Sequence, residues 1–437
     1  MRIYTAFLLF LPTCAFAIDD CATMHNVPEY EMTLVDVINT GLCRNPQTAA
    51  AYAALQSQRY TKNAAHSYYL PTVSGNAGAQ RSHTDHDDWT YTASLSASYL
   101  IFDFGKRESD FAQTLATYRA AGFDYDETIQ NFIYSVVGAY YALLNADADV
   151  VSAQSALTVA QTAKDTADKK YKAGAVAKSD VYKADTTLAS SKLALERAKN
   201  NREIVKGTLL NTLSFPATQS IKIKDMPATF GSDTEIQNVE EMINIARKQR
   251  PDLLKAQSQT NAAWHRRNSA FLKSLPSISV NGTVSTTDRT VGGMFHDMTL
   301  KTHGTIGFSV SMPIFTGFMN YYTARSVGAD YENMKENEQS VYDNATMDVF
   351  SAYQNYKTAK KVLDQTKTLL KSATENERVT SGMYKVGRST MLDWQTAQSE
   401  LADARNQHNS AKYDLFIKRA AVALAIGDIK QGIKNDK

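Results

Sequence analysis

The chain has 437 residues, of which 47 are basic and 45 acidic, so its formal net charge is only +2. This balance excludes the strongly basic surface that nucleic-acid binding requires. No run of about 18 consecutive apolar residues occurs, which excludes a membrane-spanning helix. Only nine prolines and 20 glycines interrupt the sequence, and this composition favours long helices.

The first 17 residues have the pattern of a secretory signal peptide. Arg2 supplies a positive start, a short apolar run follows, and Ala15-Phe16-Ala17 is a small-x-small cleavage site. We therefore expect the mature chain to begin near Ile18. Cys14 is then lost with the signal, unless it carries a lipid, for which the preceding Leu-Pro-Thr is a poor context.

Two cysteines, Cys21 and Cys43, remain after this cleavage. In an exported chain such a pair favours a disulfide that ties the N-terminal segment to the first helix. Two free thiols are the alternative interpretation.

The rest of the chain is a duplication, because its motifs return at constant steps. Pro46 and Pro71 return 205 residues later, while Phe102 and Gly174 return 213 residues later. The change of step places an insertion of about eight residues between the second and third pairs of motifs. The paired motifs are Asn45-Pro46 with Arg250-Pro251, Tyr69-Leu70-Pro71 with Ser274-Leu275-Pro276, Leu100-Ile101-Phe102 with Pro313-Ile314-Phe315, and Tyr171-Lys172-Ala173-Gly174 with Tyr384-Lys385-Val386-Gly387.

In each repeat, a helix is followed by two strands of alternating character. Apolar residues occupy every second position from Tyr91 to Ile101, and again from Ile306 to Ile314, with serine and threonine mostly between them. Each run is about ten residues, the length with which a tilted strand crosses a bilayer. A soluble sandwich with one solvated face is the alternative. Polar stretches, 81–88 and 286–302, are expected to link the strands as external loops rather than as a metal site.

Four strands cannot close a membrane barrel by themselves. The smallest barrels have about eight strands, and an open sheet edge is not tolerated in lipid. If these strands lie in a membrane, several copies of the chain must therefore share one barrel.

After the strands, each repeat predicts a very long helical hairpin. The first helix is predicted from Gly105 to Tyr171, about 100 Å at 1.5 Å per residue, and Gly174 ends it. The returning helix is predicted from Ser179 to Leu213, with Ser179 or Asp180 as N-cap. The second hairpin has helices over 321–385 and 390–426, with the break at Gly387.

The returning helices carry narrow seams of small and apolar residues, typical of helices packed side by side in a wall. An ordinary bundle, with a broad apolar face, is the alternative. The seam residues are Val181, Ala184, Leu188, Ser191, Leu195 and Ala198, and then Trp394, Ala397, Leu401 and Ala404.

These observations predict five segments: a signal peptide over 1–17, one repeat over 18–213, a linker over 214–238, a second repeat over 239–426, and a tail over 427–437. The chain is predicted not to be an enzyme, with no catalytic, cofactor or metal residues. It has no glycine-rich nucleotide loop, zinc-spaced His/Glu pair or serine elbow. A periplasmic adaptor would carry one hairpin on compact β domains, and a classical porin would need more strands.

The ordered motifs, found twice, resemble the TolC-like outer membrane efflux and secretion proteins over essentially the whole mature chain. The resemblance implies a mainly α fold with membrane β-strands. It implies a homotrimer whose strands form one twelve-stranded β-barrel, continued by an α-helical barrel in the periplasm. It also implies an outer membrane channel with a large periplasmic part.

The resemblance further implies that the hairpin tips, at Gly174 and Gly387, close the periplasmic end through polar links. Asp180 matches one member of such a link and Tyr384 its phenolic partner. Ser179 matches a hydroxyl that binds an arginine. Here the matching arginine position is a serine, and Arg388 lies one place earlier.

Asp393 matches the first of two acidic residues that ring the narrowest point in this family, and Thr396 stands at the second position. The resemblance thus implies a single ring of three carboxylates, which attracts cations. Asp393 as a helix N-cap after Gly387 is the alternative, and the two roles are compatible.

The implied partners are a periplasmic adaptor (membrane fusion) protein, an inner-membrane ABC exporter or proton-driven pump, and outer membrane lipid, with no nucleic acid. The early cysteines and the segment Leu42-Cys43-Arg44-Asn45-Pro46 favour the type I protein secretion branch. Drug or metal efflux is the alternative.

Overall fold

The computed structural model describes residues 27, 30–83, 87–225, 238–291 and 301–430. The predicted signal peptide and Cys21 lie outside these ranges. The chain forms two compact units. The helical unit comprises Met1–Tyr52, Tyr125–Pro251 and Tyr342–Lys437, and the strand unit comprises Ala53–Asp124 and Asp252–Val341. Within the described ranges, no helix is both long and apolar enough to cross a bilayer.

The order of the elements confirms the duplicated fold. The helices of the two long hairpins have the same lengths in both repeats, 67 and 35 residues. In chain order the elements are α1 (Leu34–Arg44), α2 (Pro46–Ala65), β1 (Thr72–His83), β2 (Asp87–Phe102), α3 (Lys106–Lys172), α4 (Lys178–Thr212), α5 (Val239–Gln249), α6 (Pro251–Leu272), β3 (Ser277–Val291), β4 (Lys301–Ser311), α7 (Met319–Lys385) and α8 (Met391–Ala425).

Left-handed backbone conformations recur at the step of 213 residues found in the sequence. Every left-handed residue in the described part of the chain has a left-handed counterpart 213 positions away. Such conformations cost a non-glycine residue about 1–2 kcal/mol, so their repetition shows that both repeats turn at the same joints. The pairs are Phe104 with Gly317, Gly105 with Phe318, Gly174 with Gly387, and Ser214 with Gly427.

The four strands form one antiparallel sheet in the order β1-β2-β3-β4. Many of its apolar side chains are exposed: Ile306 is 83% and Phe308 78% accessible. The strand limits differ from the prediction. β4 ends at Ser311 rather than Ile314, because Pro313 has no N–H to continue a ladder. The strands also run into the predicted loops, to His83 in β1 and Val291 in β3.

The passage from β2 into α3 is fixed by side chains. The Asp103 carboxylate accepts a hydrogen bond from the Arg107 N–H at 2.8 Å. The Arg107 guanidinium in turn donates to the Leu100 carbonyl at 2.8 Å, where a register shift interrupts the pairing of β2 with β3. In the second repeat the Thr316 hydroxyl caps the Asn320 N–H at 3.4 Å, the same contact 213 positions later.

The helical unit has its main core where α1 packs against the middle of α3 and the ends of the returning helices. The first part of the linker belongs to this core, because Ile221 is buried and Met32 pairs with Ile223 in a parallel bridge. The Tyr140 hydroxyl donates to the Lys224 carbonyl at 2.5 Å. The predicted linker is therefore packed on the helices as far as it is described, and its residues 226–237 lie outside the described ranges.

The predicted seams are confirmed by burial. In α8, all four seam residues, from Trp394 to Ala404, are buried. In α4, Ala184 and Leu195 are buried and the other four are half-buried, while the residues between them are mostly exposed. The narrow stripe therefore forms the contact surface of each returning helix.

Candidate functional site at the hairpin tips

The two tips of the helical unit turn in the same way. Gly174 has φ +72° and Gly387 has φ +79°, a region that favours glycine after a helix. Around Gly174, the Ala175 N–H donates to the Lys170 carbonyl at 2.8 Å. Around Gly387, the Arg388 N–H donates to the Met383 carbonyl, also at 2.8 Å. The structure thus places both predicted tip glycines at the ends of α3 and α7.

The returning helices start differently, and this corrects the predicted caps. Ala177, and neither Ser179 nor Asp180, is the N-cap of α4, and it makes no side-chain bond. The equivalent residue in α8, Thr390, is an N-cap with a full capping box to Asp393. Asp180 and Asp393 therefore occupy the same position in the two repeats. Without a hydroxyl at position 177, the carboxylate of Asp180 is not drawn into a capping box.

Asp393 is held firmly at the start of α8. Its Oδ2 accepts from the Thr390 N–H at 2.9 Å, the Thr390 hydroxyl at 2.8 Å and the Ser389 hydroxyl at 3.0 Å. These bonds, led by the Thr390 N–H, lower the pKa of Asp393 below its ordinary value. The capping alternative is thus partly right, since Asp393 is the capping-box partner and Thr390 the N-cap. The side chain stays exposed, so the carboxylate is charged and available to an ion.

Tyr384 lies at the centre of a small apolar cluster that joins the two tips. It is 1% exposed and packs against Trp394 with a ring separation of 5.2 Å. Its hydroxyl is buried without a hydrogen-bond partner among the described residues. Burial, and then the charge of Asp180, raise the pKa of Tyr384. The cluster consists of Ala163 and Ala167 of α3, Ala184 of α4, Tyr384 of α7, and Met391 and Trp394 of α8.

Asp180 lies close enough to Tyr384 for its charge to act on the pKa of that hydroxyl, but within the described residues the hydroxyl accepts or donates no hydrogen bond. Asp180 lies 3.9 Å from the ammonium of Lys183 instead. Ser179 and Arg388 are both exposed, and no hydrogen bond joins them in the part of the chain that is described. Their proposed link, and the latch role of all four residues, stay predictions.

Sequence reasoning missed the polar contacts that join one hairpin to the other. The Lys170 ammonium lies 4.4 Å from the centre of the Tyr384 ring and donates to the Tyr384 carbonyl. On the other side of the cluster, the Gln395 amide donates to the Lys183 carbonyl at 2.9 Å and to the Thr187 hydroxyl at 2.5 Å. No pattern in the sequence signals these contacts, because they depend on how the two hairpins are placed.

A further contact stiffens the second hairpin. The indole N–H of Trp394 donates to Glu377 Oε1 at 2.9 Å, which ties α8 to α7. A buried indole needs such a partner. Hydrogen bonds therefore surround the apolar cluster and hold the helices of both hairpins against it.

The predicted disulfide is described on one side only. Cys43 is disulfide-bonded, and Cys21, its predicted partner, lies outside the described residues, so the pairing stays a prediction. Cys43 precedes Asn45, whose Oδ1 accepts from the Gln47 N–H at 2.7 Å and whose amide donates to the Thr212 carbonyl at 3.2 Å. This segment therefore joins α1, α2 and the end of α4.

Within the described ranges, no group of three or more His, Cys, Asp or Glu side chains is arranged to hold a metal ion.

Comparison with known proteins places this geometry among outer membrane proteins. The family model described as outer membrane efflux protein matches residues 37–213 and 242–428, well over half of the chain. The chain is 24% identical to the outer membrane protein TolC of Escherichia coli K12 over 78% of its own length and 70% of that protein. It is 23% identical to the outer membrane protein TolC of Vibrio cholerae, over 91% of each chain.

The fold has a close counterpart among solved structures. The outer membrane protein VceC of Vibrio cholerae superposes with a TM-score of 0.80 at 18% identity, over 90% of this chain and 96% of that one. At that identity the likeness shows the fold alone.

Proposed function

Because the chain belongs to the outer membrane efflux protein family, we propose that three copies of it form one export duct, closed at the hairpin tips and opened for cargo. As a family member, the chain is an outer membrane transport channel with a large periplasmic helical part, and it is not an enzyme. Each copy contributes four strands to a shared twelve-stranded barrel in this proposal, and its long helices line the periplasmic passage.

The observation that carries the shared barrel is the exposed apolar face of the sheet. Val310 is 69% and Val284 52% accessible, and β1 and β4 each leave one edge without a strand partner in the described sheet. An apolar face fits lipid, but free N–H and C=O groups at an edge cost several kcal/mol each in a bilayer. Pairing β4 of one copy with β1 of the next gives the edge N–H and C=O groups hydrogen-bond partners and leaves the apolar face turned to lipid.

The tip cluster supports closure at the periplasmic end. Its central aromatic pair is nearly fully buried, so separation of the tips exposes a large apolar area and costs free energy. We propose Asp180 and Tyr384 as a latch, with Ser179 and Arg388 as a second link, and Asp393 as the ring that selects cations.

We further propose that the duct serves type I protein secretion, with a periplasmic adaptor and an inner-membrane ABC exporter. The segment Leu42–Pro46 that supports this branch contains the disulfide-bonded Cys43, and Asn45, whose side chain makes two hydrogen bonds. The second candidate is drug or metal efflux with a proton-driven pump, which the description of the matching family as an efflux protein favours.

In-cell photocrosslinking distinguishes the two. A photoreactive residue at Ala175, exposed beside the tip glycine, is expected to capture the adaptor and, through it, the pump. The same residue at Gln154, about 30 Å away along α3, is the matched control. Recovery of an ABC exporter at position 175 supports secretion, and recovery of a proton-driven pump contradicts it.

A further inference from the structure

The sheet has a hydroxyl-rich face opposite its apolar face, and hydrogen bonds join the half of it that lies toward the helices. Ser98 Oγ donates to Asn281 Oδ1 at 2.7 Å, and the Asn281 amide donates to Ser309 Oγ at 2.8 Å. Ser309 Oγ also lies 2.8 Å from Ser279 Oγ. These bonds cross β2, β3 and β4, and they make this half of the hydroxyl-rich face polar but uncharged.

Two basic side chains follow on the same face, toward the loop end of β4. Lys301 pairs with Thr287 and His303 with Ser285, and His303 lies about 27 Å along the strand from Ser311. Both side chains are exposed, and neither makes an ion pair within the described residues. An ammonium and an imidazole, about 7 Å apart along one strand, therefore offer hydrogen-bond donors at the outer end of this face.

Few other charged residues share the hydroxyl-rich face. Strand register adds Arg289 and Asp88, one of each sign, still nearer to the loops. In the proposed barrel, β1 of the next copy lies beside β4 and brings no acidic residue to this face. The residues of β1 that fall on it are Thr72, Ser74, Asn76, Gly78, Gln80 and Ser82.

We propose that the hydroxyl-rich face binds multivalent anions, of the phosphate or sulfate class, through Lys301 and His303 at the outer end of the duct. This inference rests on the proposed function, in which that face lines the lumen of a barrel shared by three copies. The three Lys301 ammoniums and three His303 imidazoles then form one ring, because successive β4 strands are four positions, or about 19 Å, apart.

The chemistry of such a ring is that of an anion site. Rings of basic side chains hold anions in pores, and low-dielectric walls focus the field of the charges that line them. The ring also has the opposite sign to the proposed Asp393 ring at the tips. The two ends of the passage therefore favour ions of opposite charge.

Block of single channels tests this ring. At about 0.1 M KCl, inositol hexakisphosphate on the external side of a planar bilayer is expected to reduce the conductance, and at about 1 M KCl the block should disappear, since the Debye length falls to about 3 Å. Lys301→Gln is expected to raise the half-blocking concentration about tenfold, because one exposed charge contact is lost in each of three copies. Lys360→Gln, which removes an exposed lysine of α7, is the matched control.

Several results would overturn the proposal: no block, block that persists at high salt, or equal half-blocking concentrations for the native chain, Lys301→Gln and Lys360→Gln. Lys301→Gln combined with His303→Gln should abolish the block, and native block in this double variant would also overturn it.

A binding measurement separates this site from the proposed channel function. Isothermal titration calorimetry of the detergent-solubilised protein is expected to show one inositol hexakisphosphate per three chains, with affinity about tenfold weaker in Lys301→Gln. If the protein does not conduct but binds the probe in this ratio, the channel function fails and the anion site stands. One probe per chain contradicts a shared ring, and a lack of saturable binding overturns the site.

Discussion

Asp180 can be tested as a latch without changing Asp180 itself. Position 177 is the N-cap of α4 and holds alanine, whereas the equivalent N-cap of α8 is Thr390, whose capping box binds Asp393. Ala177→Thr should therefore give α4 the same capping box and draw the Asp180 carboxylate to the helix start. The tip would lose the Asp180 charge beside Tyr384, although every residue of the proposed latch is still present.

The size of this effect follows from the capping bonds. Replacing alanine by threonine at an N-cap stabilises a helix by about 1 kcal/mol, which corresponds to about a fivefold shift in an equilibrium. We expect the closed channel to leak about fivefold more often in planar bilayers, in the direction of Asp180→Ala. Ala177→Val is the matched control, because it has the same shape as threonine without the hydroxyl.

Two results would refute this reasoning. Equal closed-state conductance for Ala177→Thr and Ala177→Val, beside a leaky Asp180→Ala, would show that the threonine does not recruit the carboxylate. A native-like closed state in all three variants would show that Asp180 holds no latch.

Further changes at the tips and at the joint after the returning helices are expected to have separable effects. Asp180→Ala combined with Tyr384→Phe should make the closed channel leakier, and unchanged conductance would contradict the latch. Asp393→Asn should weaken cation selectivity, measured as the reversal potential under a salt gradient. Because the pKa of Asp393 is lowered, native selectivity should persist as the pH falls to about 3.9, the ordinary value for aspartate, and be lost only below it. Gly427→Ser should destabilise the protein by about 2 kcal/mol or more, since an added Cβ would lie 2.9 Å from the Arg250 Cα. Ser214→Gly, at the equivalent joint, should change stability by less than about 1 kcal/mol. Equal thermal midpoints for the Gly427→Ser and Ser214→Gly variants would contradict this account.

The sequence was sufficient for the fold wherever a pattern is local and repeated. The long uninterrupted segments predicted both hairpins, the step of 213 residues related one to the other, and Gly174 and Gly387 marked their ends. The seam from Trp394 to Ala404 was predicted from its spacing alone. The ends of elements were harder, as at β4, where the alternation continues to Ile314 but Pro313 stops the pairing.

The site was less predictable because its contacts are not local. Lys170 and Tyr384 are 214 residues apart, and nothing near either residue specifies the other. The N-cap of α4 was misplaced because Ser179 and Asp180 are good caps by type, while the turn that follows Gly174 places Ala177 there. Comparison of Ala177 with Thr390, 213 positions away, was the signal in the sequence that could have shown this.

Two consecutive residues with left-handed backbone conformation precede each of the 67-residue helices, α3 and α7, and they show how the duplicated halves have diverged. In the first half the pair is Phe104-Gly105, and in the second it is Gly317-Phe318. The glycine has changed places with its neighbour, yet both residues keep positive φ in both halves. Backbone shape has therefore been inherited more faithfully than residue identity at this joint. Searches for other descendants of the ancestral half should score the positions of such joints, since a search for fixed glycines would miss one half of this very chain.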